Sequence, residues 1–232
     1  MILKVENLCS GYDKSQILFD MNLEVDEGES VCILGRNGVG KSTTLKTLMG
    51  VLKPMSGKIV FEGKEIGGLP GYKVCRRGMS YVPQGRMIFP NLTCKENLVL
   101  SVRKGVDGSE SWTMDRIYEL FPRLKERESS MGGQLSGGEQ QMLAVARGLV
   151  QNPRLLLMDE ICEGLAPVIV QELAEIIQEL SRQGVSILLA EQSVKFALAV
   201  STRCYIMEKG TVVYSGKSSE IPSEIFAQYL GV

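Results

Sequence analysis

The run Gly35-Arg36-Asn37-Gly38-Val39-Gly40-Lys41-Ser42 spaces glycines, an ammonium and a hydroxyl as Gly-x4-Gly-Lys-Ser. These residue types, in this order, suit the binding of nucleotide phosphates. Glycines let successive backbone N–H groups wrap an anion, and a helix starting at their end points its positive pole at it. Lys41 would neutralise the β- and γ-phosphates, and Ser42 would offer its hydroxyl oxygen to Mg²⁺. A Gly-rich turn between strand and helix is the plain alternative. The apolar strand expected before it and the helix expected after it favour the phosphate site.

Two other clusters could do chemistry. Leu155-Leu156-Leu157-Met158 is strand-like and ends in Asp159-Glu160. On a strand, adjacent side chains point to opposite sides, so the two carboxylates are expected to hold different posts. By themselves they could also be a charged strand end. In Leu135-Ser136-Gly137-Gly138-Glu139-Gln140-Gln141, Ser136 is placed as a helix N-cap with Glu139 three residues on, a capping box. Each glycine weakens a helix by about 1 kcal/mol. A cap has no need of them, whereas close approach of a phosphate would. The chain contains no histidine. Any catalysis therefore falls to carboxylates, lysine or polar side chains.

The elements that must position these residues alternate strand and helix. Ile2 to Leu8 and Ile17 to Val25 read as antiparallel strands around Gly11-Tyr12-Asp13. Val31 to Leu34 is a short apolar run suited to a buried strand, and Lys41 to Leu52 reads as a helix ended by Pro54. Lys58 to Phe61 and Met79 to Val82 are further strands. From about Asn91 to Gly133 the pattern turns helical, in Cys94 to Arg103 and Thr113 to Phe121, around a polar loop at 104–109. Met142, Leu143, Ala146, Leu149 and Val150 form one helix face, and Ile169, Leu173, Ile176, Ile177 and Leu180 another, closed by Gly184. Val185 to Ala190 is strand-like, and Arg203 to Glu208 pairs with Thr211 to Ser215 around Lys209-Gly210. Such alternation predicts a parallel sheet with ligands at the C-terminal strand ends.

From about Lys4 to Gly216 the chain resembles the ATP-binding cassette (ABC) ATPases, on the phosphate loop, the Leu-Ser-Gly-Gly-Glu-Gln run and Asp159-Glu160. The resemblance implies an α/β, P-loop NTPase ABC ATPase fold with an antiparallel β subdomain. It implies one ATP-binding domain over 1–232, with an α-helical subdomain inserted at approximately 91–150. It implies ATP and Mg²⁺ as ligands. Residues 35–43, from Gly35 through Lys41, Ser42 and Thr43, would hold the phosphates, and Tyr12 would stack on adenine. Asp159 would hold the Mg²⁺ shell together with Ser42. Gln84, in Tyr81-Val82-Pro83-Gln84-Gly85, would touch Mg²⁺ and the γ-phosphate side. Glu160 would act as general base on the attacking water. Ser136, Gly137 and Gly138 would cap ATP held by a second copy. That implies a head-to-tail dimer, homo- or heteromeric, with ATP sandwiched between protomers.

Four positions depart from the commonest pattern of that family. Ile161 and Cys162 stand where Pro and then Ser or Thr are usual, Ala166 stands for an aspartate, and Gln192 stands for a histidine. Gln192 can hold geometry by a hydrogen bond but cannot take a proton. Gly164-Leu165-Ala166-Pro167 and Glu191-Gln192, with Val82-Pro83-Gln84-Gly85-Arg86 and Ile88-Phe89-Pro90, resemble ATP-binding subunits of branched-chain amino acid, urea and short-amide transporters.

Composition narrows the setting. The 232 residues carry 26 Lys and Arg against 27 Asp and Glu, a net charge of −1, which argues against a basic nucleic-acid binder. No apolar run approaches the ~18 residues a spanning helix needs, and the first residues do not read as a signal peptide. Six scattered cysteines read as reduced small hydrophobes. The expected protein is cytoplasmic, peripheral on the inner face of the membrane. Its partners would be integral membrane permeases, docked near Met87-Ile88-Phe89-Pro90, and indirectly a solute-binding protein; no nucleic acid is expected. A soluble ABC-type ATPase and a nucleotide-dependent regulator are the alternatives.

Overall fold

The computed structural model describes residues 1–231. The chain opens with the antiparallel ribbon β1 (Leu3–Tyr12) and β2 (Ser15–Val25), then runs through β3 (Ser30–Leu34) into α1 (Lys41–Leu48). β4 (Ser56–Phe61) returns to pair with β1, and β5 (Lys64–Glu65) pairs with β4. These strands make a first sheet in the order β2-β1-β4-β5. α2 (Gly71–Arg76) leads to β6 (Met79–Val82). Then come α3 (Cys94–Val99), α4 (Met114–Leu120), α5 (Pro122–Glu126) and α6 (Gly137–Leu149). β7 (Leu155–Asp159), α7 (Pro167–Arg182), β8 (Ser186–Glu191), α8 (Val194–Val200) and β9 (Arg203–Glu208) follow, and β10 (Thr211–Lys217) and α9 (Ser223–Tyr229) complete the chain. The second sheet runs β10-β9-β3-β8-β7-β6, parallel except for β10.

Strands β3, β7 and β8 are buried along their whole length. The strand period of two divides their side chains between two cores. Val31, Ile33, Leu155, Leu157 and Leu188 face the first sheet and α1, with Leu23, Leu45 and Phe61. Leu34, Leu156, Met158, Ile187 and Leu189 face the opposite way, with Leu143, Ile177 and Phe196 of α6, α7 and α8. Both faces of the parallel sheet are covered, which is why these strands read as continuous apolar runs rather than alternating ones.

Several boundaries differ from the sequence expectation. α1 stops at Leu48, short of Leu52, because Gly50 takes φ +70° and the Val51 N–H turns back to the Lys46 carbonyl at 2.9 Å. α3 stops at Val99, and the Arg103 carbonyl accepts instead from Asn152 Nδ2 at 2.9 Å. β8 runs one residue further than expected, to Glu191. The short helices α2 and α8 carried no periodic signal long enough to read.

The β9–β10 turn sits at a structural junction. Lys209 and Gly210 both take positive φ, +46° and +83°, as a two-residue hairpin turn demands. The Gly210 N–H donates to the Val39 carbonyl in the phosphate loop at 2.9 Å, and its carbonyl accepts from the Phe19 N–H at 3.0 Å. A Cβ at 210 would lie 1.8 Å from the Ile17 carbonyl oxygen. Gly210→Ala is therefore expected to destabilise the fold by roughly 1–3 kcal/mol. Thermal unfolding checks this; an unchanged melting temperature would contradict the close approach.

Candidate active site

Parallel pairing of β3, β8 and β7 brings three strand ends to one edge. Leu34 is in register with Glu191, and Asp159 with Ala190. The backbone continues the pairing past the strands. The Gly35 N–H donates to the Glu191 carbonyl at 3.3 Å, and the Glu160 N–H to the Ala190 carbonyl at 2.8 Å. The phosphate loop and the turn after β7 thus leave the sheet from the same edge.

In the loop, Gly38 and Gly40 take φ +81° and +111°. Lys41 is buried; its Nζ donates to the carbonyls of Gly35 at 2.9 Å and Arg36 at 3.0 Å and pairs with Glu160 Oε1 at 2.9 Å. Ser42 Oγ donates to Asp159 Oδ1 at 2.9 Å, and Tyr81 Oη donates to Asp159 Oδ2 at the same distance. Burial pushes the Asp159 carboxyl up, against the pull of those two donors. Gln84 Nε2 bridges Glu160 Oε2 at 2.9 Å and Glu163 Oε2 at 2.8 Å. Two clefts open here. One, of ≈ 260 Å³, is bordered by Tyr12, Gly38, Gly40, Lys41, Ser42, Thr43 and Glu160. The other, of ≈ 350 Å³, lies between Glu160, Cys162, Glu163, Glu191, Gln192 and Ser193. Glu160 borders both.

The two carboxylates part company for a different reason from the one expected. β7 ends at Asp159, so Glu160 is not on the strand at all. It opens a turn in the left-handed region, φ +47°. Its side chain is therefore aimed by that turn rather than by strand alternation. A non-glycine residue held there stores about 1–3 kcal/mol of strain, which persists only where the surroundings impose it.

The structure brings Lys41, Ser42, Thr43, Gln84, Asp159, Glu160 and Gln192 into contact with the two clefts or with each other. Tyr12 stands at the mouth of the first, half exposed, with Lys46 Nζ 5.9 Å from its ring centroid. Arg36 and Asn37 are exposed, and the Arg36 guanidinium reaches towards Gly231 rather than into the cradle. Ser136, Gly137 and Gly138 border neither cleft. The capping box forms as expected, with Glu139 N–H to Ser136 Oγ at 3.3 Å and Ser136 N–H to Glu139 Oε2 at 2.7 Å. The two glycines also have a packing reason that the sequence did not reveal. A Cβ on Gly137 would meet the Arg86 guanidinium at 3.0 Å, and one on Gly138 would meet Ile169 at 3.0 Å.

Tyr81 and Glu191 were not read from the sequence. Tyr81 becomes visible only once β6 is known to lie beside β7. Glu191 had a signal: it is a carboxylate closing an otherwise apolar strand. It is 3% exposed, and burial pushes its carboxyl up to about 7, with the Glu160 carboxylate adding to the shift against the backbone N–H of Cys162.

Ser42 and Asp159 offer hard oxygen donors at the foot of the phosphate loop. Among the described residues no cluster of three or more His, Cys, Asp or Glu could hold a metal unaided. The Ser42 hydroxyl and the Asp159 carboxylate are the donor type that Mg²⁺ takes beside waters and substrate phosphates.

The ABC transporter family model matches residues 18–163. The chain belongs to the ABC transporter ATP-binding family. It is 44% identical to the high-affinity branched-chain amino acid transport ATP-binding protein BraG of Pseudomonas aeruginosa, over 91% of each chain. It is 34% identical to the lipopolysaccharide export system ATP-binding protein LptB of Haemophilus influenzae, over 99% of this chain and 97% of that one. A solved ATP-binding subunit of an ABC transporter superposes with TM-score 0.82 at 30% identity, over 98% of this chain and 93% of that one. The fold is that of the ABC ATPases, and the chain is an ATP-binding, ATP-hydrolysing subunit of an ABC transporter. No helix among the described residues is long and apolar enough to cross a membrane.

Burial of Glu191 makes stability depend on pH. Its folded pKa lies above its unfolded one, so its contribution is fully present below the unfolded value and is lost as pH rises towards 7. Glu191→Gln, neutral at every pH, should flatten that part of the profile. Melting temperatures of both proteins between pH 5 and 8 check this. Parallel curves would show that Glu191 is charged throughout.

Proposed function

We propose that this ATPase drives uptake of branched-chain amino acids, or of a related small polar solute such as urea or a short amide. The observation that carries the solute class is the 44% identity to BraG, against 34% to LptB. The likeness to LptB keeps an export role as the second reading.

The site geometry supports a division of labour. Residues 35–43 wrap the phosphates, with Lys41 supplying the charge. Glu160, already beside Lys41 and Gln84, takes a proton from the water that attacks the γ-phosphorus as the bond to ADP breaks. Ser42 and Asp159, with Gln84 on the γ-phosphate side, would hold Mg²⁺, which would supply charge neutralisation on the phosphates. Gln84 orients Glu160, and Gln192, exposed on the neighbouring cleft, holds geometry without taking a proton. Tyr12 packs on the adenine. Ser136, Gly137 and Gly138 act on ATP held by a second ATP-binding subunit, in a head-to-tail homo- or heterodimer; that they border neither cleft supports action in trans. The dimer sits on the inner face of the membrane. Exposed Met87 and Phe89, beside half-buried Ile88, offer an apolar surface to the permeases.

Glu160→Gln should keep ATP binding and slow hydrolysis by about 10²–10⁴. In cells that depend on this subunit the same change should abolish uptake of labelled leucine or valine. Near-normal turnover would remove Glu160 as base; full uptake with turnover lost would assign another solute.

Lys41→Ala and Ser136→Ala should each be inactive as homodimers. Mixed in equal amounts they should regain activity, because a mixed dimer contains one composite site with both side chains. Absence of recovery in demonstrably mixed dimers would argue against action in trans.

A further inference from the structure

The loop that follows Gln84 is strained. Gly85, Arg86 and Met87 all take positive φ, +82°, +68° and +49°. Glycine enters that region freely, but arginine and methionine enter it at a cost, so their surroundings must impose it. Two side-chain contacts with α6 do so. Arg147, in the last turn of that helix, donates through Nη1 to the Met87 carbonyl at 2.8 Å. At the other end of the helix, Arg86 Nη1 donates to Gln140 Oε1 at 3.1 Å. Gln140 is itself fixed, its Nε2 donating to the Gly132 carbonyl at 3.1 Å. The loop is thus tied to both ends of α6.

The Arg86 guanidinium lies against the first turn of α6. A Cβ on Gly137 would meet its Nη2, Nη1 and Cζ at 3.0, 3.2 and 3.3 Å, so it occupies the space that the missing side chain leaves. Among the described residues its partner is an amide oxygen and not a carboxylate. Glu139, the acid of that first turn, is engaged elsewhere, by the Ser136 N–H at 2.7 Å and Arg127 Nε at 3.7 Å. A cation beside the positive pole of a helix is unfavourable by itself. Close packing does not call for one there; an anion brought to the helix start does. We propose that Arg86 is a positioning residue for the ATP of the second subunit, fixing Ser136, Gly137 and Gly138 where its phosphate must be met. The proposal rests on Ser136 acting in trans. Arg86 borders neither cleft of its own chain and acts through α6. Gln84, two residues earlier, serves the other site, bonded to Glu160 of its own chain. One short loop holds a group of each composite site.

Steady-state ATP hydrolysis, ATP affinity of the single chain and thermal unfolding would be measured for Arg86→Ala, Gln140→Ala and the double variant. ATP-dependent dimer formation would be measured for the same changes in a Glu160→Gln background. Misplacing a contact by about 1 Å costs up to about 10²-fold. Arg86→Ala should therefore lower kcat by roughly 10- to 100-fold and weaken dimer formation, with ATP affinity of the single chain within about two-fold. Gln140→Ala should act in the same direction, and the double variant should cost no more than Arg86→Ala alone, as for a unit. Mixing assigns the site. With an excess of Lys41→Ala chain, the Arg86→Ala chain keeps its own phosphate loop and gains an intact α6 from its partner, so its turnover should rise. If Arg86 served the ATP of its own chain through Gln84, the same mixed dimers would stay inactive. The mixture of Ser136→Ala with Lys41→Ala is the control. Recovery there but not with Arg86→Ala overturns the role of Arg86, whereas recovery in neither overturns action in trans. Normal kcat and dimer formation in Arg86→Ala, or a lowered melting temperature as its sole effect, would also overturn the role. If Arg86→Ala does not fold, Gln140→Ala decides: normal kcat, or no recovery in the mixture with Lys41→Ala, overturns it.

Discussion

Everything at the nucleotide edge is organised around one buried charge. The Lys41 side chain is 2% exposed and that of Glu160 11%, and an unpaired ammonium there would be strongly destabilising. The loop meets the requirement three times over, with two carbonyls of its own and the Glu160 carboxylate. Lys41 and Glu160 are each other's counter-charge, and Gln84, a neutral donor, holds the other Glu160 oxygen.

The sheet makes that ion pair unavoidable. β3 and β7 are not neighbours; β8 lies between them. Lys41 reaches Glu160 because the loop after β3 curls back over the end of β8 into α1, while the turn after β7 leans in from the other side. β8 is thus the spacer whose length sets the reach. Its last residue, Glu191, receives the phosphate loop through its carbonyl. A strand one residue shorter would leave that N–H without its partner and move both loops. The hairpin turn at Lys209-Gly210 fixes the loop from the opposite flank by holding Val39.

Much of this was legible from residue order. The Gly-x4-Gly-Lys-Ser spacing, the apolar run into Asp159 and the capping box at Ser136 each carry a local physical signal, and local signals survive without knowledge of the fold. The alternation of Lys209-Gly210 with flanking strands likewise gave the hairpin. What escaped depends on neighbours distant in sequence. Tyr81 matters because β6 lies against β7, and nothing within residues 79–84 says so. The end of α1, by contrast, was legible in Gly50, which takes the left-handed φ +70° just past the helix, although Pro54 was read as the stop. Glu160 read as a strand residue because its left-handed backbone has no sequence marker such as glycine or asparagine.

The two glycines after Ser136 show how a correct inference can rest on an incomplete reason. Their cost in a helix suggested that something approaches closely, and the structure supplies two such things within the chain, Arg86 and Ile169. Packing alone would then account for them. Yet packing does not account for the exposure of Ser136 itself, at a helix start that borders neither cleft. A capping serine needs no exposed position, and the positive pole of α6 has no anion from its own chain beyond Glu139. The glycines serve the fold by admitting Arg86 and Ile169, and the same two positions leave the start of α6 without side chains beside the exposed Ser136. Close packing behind the helix start and a bare front are thus one requirement met by the same two residues, so the cost of the glycines in a helix does not by itself say which of the two called for them.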